Sequence, residues 1–159
     1  MTDTAARLAA IDHFSTLDPE SLAALVDGSK LIDYAEGTTI LDPAAPRAEY
    51  SFLVEGAWWM RRDMVGAATP FEWTDDRPGN WHGGVALYDA IAPVTVRATV
   101  DSTVLHVPSE LLERLAGANA HLALAMLRGV QGGGTVLYRH ATEGDAPTAP
   151  EGAATGLTA

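Results

Sequence analysis

Between Lys30 and Val107 the apolar residues come in short runs cut apart by Gly, Pro, Asp and Asn. The runs are Leu31 to Tyr34, Thr38 to Leu41, Tyr50 to Val54, Ala57 to Arg61, Phe71 to Trp73, Gly84 to Leu87, Val94 to Val100 and Val104 to Val107. Short strands at such spacing predict a mainly-β barrel or jelly roll. Gly37, Gly56 and Gly79 close three of the gaps, where a turn can take positive φ without a Cβ clash. Successive residues of a strand face opposite sides, so of the adjacent Trp58 and Trp59 one points inward and the other outward.

The flanks carry a helical period instead. Asp18-Pro19-Glu20 offers an N-cap acceptor, a proline at the first helical position and an acid in the first turn. Leu22, Leu25 and Val26 follow at helical spacing, which predicts a helix from Pro19 to Asp27. Ile11, Phe14 and Leu17 precede it as an apolar lid on the core. Beyond the last strand, Pro108-Ser109-Glu110 opens a capped helix bearing Leu111, Leu112 and Leu115, and a second helix spans Asn119 to Val130. Gly132-Gly133-Gly134 ends it, at a helix cost of about 1 kcal/mol per glycine. Residues 1–10 are expected to form an N-terminal arm, 11–130 one domain, and 131–159 a Gly-rich, disordered tail, with Thr135 to Tyr138 an isolated apolar segment in it.

Composition narrows the partners. At 159 residues and 47% hydrophobic content the chain has the length and core of a single domain. A formal charge of −11, with Lys30 the one lysine, opposes nucleic acid and anionic membrane surfaces, because affinity for those comes from cations. No apolar run reaches the roughly 18 residues of a membrane span, and the N-terminus lacks a basic stretch followed by an apolar one, so a soluble, cytoplasmic protein is expected. Without cysteine there is no disulfide, thiolate metal site or cysteine nucleophile.

The stretch Pro78 to Ser102, PGNWHGGVALYDAIAPVTVRATVDS, resembles the phosphate-binding cassette of the cyclic-nucleotide-binding domains. Pro78, Gly79, Gly83, Ala86, Leu87, Thr95, Val96, Arg97 and Ala98 stand where that pattern wants them. Gly37 to Asp42 and Tyr50 to Gly56 are similar to two further strand-and-turn motifs of the family. The resemblance implies a double-stranded β-helix or jelly roll, the cyclic-nucleotide-binding β-roll, with short flanking helices. It also implies a ribose-binding glutamate and a phosphate-binding arginine, but these positions fall on Gly84 and on or beside Ala92. Losing a bidentate arginine removes charge-assisted bonds about twice as strong as neutral ones, so conventional binding of cAMP or cGMP is not expected. The helix after the roll mediates dimerisation in the regulator branch of the family, which places a homodimer contact on Leu122, Ala125, Leu127 and Val130. The same residues equally suit packing back onto the roll.

Backbone N–H groups need no particular side chain, so Gly83, Gly84, Val85, Ala86 and Leu87, with Ala92, Pro93 and Thr95, could still form an anion-friendly turn. Trp58, Trp81 and His82 would stand beside them, either lining an apolar pocket or filling the roll. Arg97 is expected to face outward, Arg61-Arg62 to be exposed at a strand end, and Glu72, Asp75 and Asp76 to form a solvated loop face. His13, His106, His121 and His140 are scattered singly. No Gly-x-Ser-x-Gly elbow or P-loop is present, and His82 lacks the companion ligands of a cupin metal site. The sequence therefore points to a non-catalytic sensory or regulatory module without cofactor, taking a small, partly apolar ligand. The alternatives are a structural or protein-interaction module with a filled pocket and, further off, a metal-dependent cupin-like enzyme.

Overall fold

The computed structural model describes residues 3–42, 48–62, 70–83 and 94–129. Two helices, α1 (Asp3–Ala9) and α2 (Pro19–Gly28), flank a 3-10 turn at Asp12–Phe14. Eight strands follow: β1 (Lys30–Tyr34), β2 (Thr39–Leu41), β3 (Glu49–Glu55), β4 (Trp58–Arg62), β5 (Phe71–Asp75), β6 (Trp81–Gly83), β7 (Val94–Ala98) and β8 (Ser102–Pro108). Helix α3 (Ser109–Ala118) and a helix over 120–129, α4, close the described chain.

The strands form two four-stranded antiparallel sheets, ordered β1-β8-β3-β6 and β2-β7-β4-β5. This is the expected mainly-β roll with short helices. Strand alternation sorts the residues into two cores. Leu53 and Val104 of the first sheet meet Trp58, Met60, Val94, Val96 and Ala98 of the second between the sheets. Phe52, Val54, Leu105 and Val107 point the other way, into Leu8, Phe14, Leu25, Leu112, Leu115 and Leu122 from the helices. Fully burying one such leucine or phenylalanine contributes about 1.5–3 kcal/mol, so the helices are held mainly by this outer face.

Local signals explain most boundaries. Asp18 caps α2, its carboxylate accepting from the Ser21 amide at 2.8 Å, with Pro19 behind it. That bond holds the Asp18 carboxyl below its ordinary pKa. Gly37, Gly56 and Gly79 take φ of 79°, 98° and 87° as the turns require. Asn119 caps α4, its side-chain oxygen accepting from the Leu122 amide at 2.9 Å.

Residues 3–9 of the N-terminal stretch are helical, with Ala5 and Leu8 buried in the outer core; alanine carries too weak an apolar signal to mark the helix in advance. Three expectations are corrected. Helix α3 starts without a side-chain cap because Pro108 occupies the cap position and Ser109 is already helical. Asp75 is buried on β5, where Arg77 and Asn80 bond it, not on a solvated loop face. Strand β6 at Trp81–Gly83 adds an element to those predicted, while the run Gly84 to Leu87 and the tail 131–159 lie outside the described residues.

Candidate functional site

In an antiparallel pair, directly opposed residues share a face. Ser51 opposes His82 on one side and His106 on the other, so these three form a polar row across the first sheet, on the inner face with Leu53 and Val104. On the second sheet Arg62 opposes Phe71 and Val94, in register with the inward residues Trp58 and Met60. The interior is thus apolar at Trp58 and polar toward the Arg62 end.

His106 is 2% exposed and saturated with partners. The Tyr34 hydroxyl lies 2.9 Å from Nε2, while Ser51 Oγ and Glu49 Oε1 lie 3.0 and 3.1 Å from Nδ1. A serine, a histidine and an acid in contact invite comparison with a hydrolase triad. That chemistry needs the nucleophile and the acid on opposite ring nitrogens, so that the ring can take a proton from one while held by the other. Here both meet Nδ1 and Tyr34 occupies Nε2, so the arrangement is a buried polar layer that fixes β1, β3 and β8.

His82, on the same inner row, has its pKa lowered to about 4, first by burial and then by the positive charge of Arg62. Burial likewise lowers the pKa of Arg62. Arg62 Nε is buried and has no hydrogen-bond partner among the described residues. Its neighbour Arg61 faces outward and reaches Glu72 at 3.6 Å. The expectation that both arginines are exposed holds only for Arg61, because alternation turns its neighbour into the roll.

The neutral form of His82 implies acid sensitivity. The unfolded chain binds a proton at His82 below about pH 6.5 that the folded protein refuses until about pH 4, so stability falls as pH falls through that window. Burial lowers the pKa of His13 as well, which adds in the same direction. We expect the wild type to lose about 2 kcal/mol between pH 7 and pH 4.5 through His82, after allowing for its partly accessible edge. His82→Gln should lose correspondingly less in urea melts at the two pH values; equal losses in both proteins would refute the assignment.

The residues expected at the site separate in the structure. Trp58 is fully buried between the sheets, its indole N–H donating to Asn80 Oδ1 at 3.2 Å. His82 lies on the same inner side. Trp81 faces the helices instead, beside the rings of Tyr50 and Phe52 with centroids at 5.6 and 6.4 Å. Thr95 opposes Arg61 and so points away from the interior, and Arg97 is exposed. Gly83 ends β6 against the backbone of Glu49. Gly84, Val85, Ala86, Leu87, Ala92 and Pro93 lie outside the described residues. Among the described residues no group of three or more His, Asp or Glu is placed to hold a metal.

Met60, Arg62, Phe71 and Trp73 also line this region and were not foreseen. The alternation that places Trp58 inward carries through Met60 to Arg62, so the signal was present in the sequence.

Neither a family model nor any curated protein matches the chain. Solved structures do. The CBD2 domain of PKAR bound to Sp-2Cl-cAMPS is 19% identical with a TM-score of 0.64, covering 85% of this chain and 87% of that one. A cAMP-binding acyltransferase from Mycobacterium smegmatis is 22% identical with a TM-score of 0.60, covering 78% of this chain. This chain spans only 40% of that acyltransferase. The sensor domain of the transcriptional regulator DNR from Pseudomonas aeruginosa is 19% identical with a TM-score of 0.56, covering 86% of this chain and 95% of that domain. The chain has the cyclic-nucleotide-binding domain fold. Within it no described helix is long and apolar enough to cross a membrane.

Proposed function

We propose that this cyclic-nucleotide-binding-type roll is a non-catalytic, cytoplasmic sensory or regulatory module that takes a small, partly apolar ligand between its sheets and does not hold cAMP or cGMP conventionally. The observation that carries the reading is the mismatch between frame and anchors. The frame is that of effector domains, yet in the cassette resemblance the ribose- and phosphate-binding positions fall on Gly84 and on or beside Ala92. On the inner row, next to Ser51 and His106, which are engaged with each other, His82 faces Arg62 beside aromatic walls, the combination by which small-molecule sites orient a ligand. With a charge of −11, neither nucleic acid nor an anionic membrane is part of this reading.

Trp58 and Trp73 belong to the inner cluster, so intrinsic fluorescence reports on it. Titration with cAMP and cGMP is expected to leave the emission unchanged, whereas at least one small organic compound from a metabolite panel shifts or quenches it. Saturable cAMP binding, or silence across the panel, would overturn the proposal.

A protein-interaction module is the second reading, favoured by α4. Leu122 and Ala125 are buried against the chain's own core, while Leu124 and Leu127 are 50% and 52% exposed. Self-association as a homodimer would therefore use Leu124 and Leu127, and of the four residues expected to mediate it Leu122 and Ala125 pack inward; Val130 lies outside the described residues. Light scattering on the same samples decides it, a monomer at all concentrations removing the homodimer.

A further inference from the structure

Among the described residues, Arg62 is a cation turned into the roll without a counter-charge. Its Nε is buried and without a hydrogen-bond partner, and none of the ion pairs among the described residues includes it. Arg61, one residue away on the outer face, shows that this sheet readily supplies a carboxylate, since Glu72 on the adjacent strand pairs with it. In a chain with 21 acidic residues, no described carboxylate stands at the inner arginine. Leaving a guanidinium part-desolvated costs free energy that a paired or solvated one does not incur. A bare inward arginine is therefore hard to account for as a stabilising residue. It is readily accounted for as one half of an ion pair whose other half arrives from solution.

The surroundings define what arrives. Arg62 ends β4, opposite the first residues of β5 and β7, so it lies at the rim of the roll and is partly accessible. Phe71 opposes it directly, and the rings of Phe71 and Trp73 lie with centroids 4.6 Å apart. His82 approaches from the other sheet, close enough for the two side chains to interact electrostatically. As a neutral imidazole it can donate one N–H to an anion without competing for it as a second charge. One fixed cation, one neutral donor and a pair of aromatic rings suit a single negative charge on a flat apolar body. Trp58 and Met60 are 0% and 2% exposed and already fill the deeper interior, which confines a ligand to the rim.

We infer that Arg62, with His82, is the anchor of a binding site for a small aromatic carboxylate, seated at the rim of the roll against Phe71 and Trp73. The inference rests on the proposed small-ligand reading and adds the chemical class and the anchoring residue. The guanidinium fork takes both carboxylate oxygens, as bidentate recognition requires. This anchor comes from β4, not from the cassette between β6 and β7 where the resemblance puts the phosphate-binding arginine.

The test uses the full chain, phenylacetate and its neutral isostere phenylacetamide, followed by calorimetry and tryptophan emission. Phenylacetate is expected to bind about tenfold or more tightly than the amide, because only the acid satisfies the guanidinium. Arg62→Gln should weaken phenylacetate by a similar factor and leave the amide unaffected, Arg62→Lys should restore part of the affinity, and ligand-free Arg62→Gln should melt no lower than wild type. Equal affinity for acid and amide, with Arg62→Gln indifferent, overturns the carboxylate anchor and leaves the small-ligand reading standing. Preference for cAMP over phenylacetate overturns the carboxylate class. Binding of neither compound, with Arg62→Gln melting several degrees lower, makes Arg62 a structural residue and removes the inference, while the parent reading falls only with silence across the wider metabolite panel. The acid-against-amide comparison needs no variant, so it decides the matter even if Arg62→Gln fails to fold.

Discussion

Replacing Trp58 by alanine is expected to destabilise the protein by about 3–5 kcal/mol, a large share of the roughly 5–15 kcal/mol typical of a whole domain. Trp58 is fully buried and joins the two sheets, packing in one cluster with Leu53 and Val104 of the first and Met60, Val96 and Ala98 of the second. Backbone on both sides is fixed by strand pairing, so the roll cannot collapse onto the vacated volume, and the cavity cost adds to the lost burial. A second loss is polar. The indole N–H donates to Asn80, which also donates to Asp75 at 2.8 Å, and Asp75 accepts from Arg77 Nε at 2.9 Å. The Asn80 carbonyl in turn accepts from the Leu53 amide, and Leu53 O from the Gly79 amide, tying this chain of bonds to the opposite sheet. Trp58→Phe keeps most of the ring and loses only the N–H, for which about 1 kcal/mol is expected. Urea denaturation with unchanged slope measures both. A loss for Trp58→Ala no greater than for Trp58→Phe would show that the interior is not packed around the indole, and the deep roll would then be open to a larger ligand.

How far this architecture could be read in advance depended on whether a residue's environment is set by its neighbours in sequence. The glycine turns, the Asp18 cap and the Trp58/Trp59 split are local, and the structure places them as the pattern implies. Arg62 was within reach of the same alternation, but a strand-end arginine next to another arginine reads as solvated, and composition outweighed position. Asp75 misled in a similar way: its partners Arg77 and Asn80 are two and five residues away, yet three acids near a proline suggest a loop. The His106 layer was beyond any local rule. Its contacts with Ser51 and Tyr34 span 55 and 72 positions, and only the order β1-β8-β3 brings them together. Trp81 lies within the cassette stretch, and its register with Phe52 nevertheless directs it to the helices. Motif resemblance thus located the frame, while side-chain direction required the strand pairing.

That dependence on pairing makes Gly83 the most revealing position in the site. Gly83→Ala is expected to cost about 3–4 kcal/mol, combining backbone strain with a steric overlap. Gly83 has φ of 112°, which side-chain-bearing residues rarely adopt, and an added Cβ would stand 2.3 Å from Glu49 O and 3.3 Å from Tyr50 Cα. Both neighbours are backbone atoms of β3 and cannot swing aside as a flexible side chain would. Relief requires β6 to move off β3, which breaks the pairing Tyr50–Gly83, Ser51–His82 and Phe52–Trp81. His82 then leaves the inner row facing Arg62, and Trp81 leaves the helix-facing core, so one methyl group disturbs both sides of the sheet. Gly37→Ala provides the reference, because Gly37 also has positive φ, 79°, but nothing lies within 4 Å of an added Cβ. It should cost only about 1 kcal/mol, the backbone term alone. The excess for Gly83→Ala in urea melts measures the close approach of β6 to β3, and equal losses at the two positions would show that the approach has slack. With the excess present, phenylacetate affinity should fall in Gly83→Ala at a temperature where it remains folded and should be unchanged in Gly37→Ala, because only the first displaces His82.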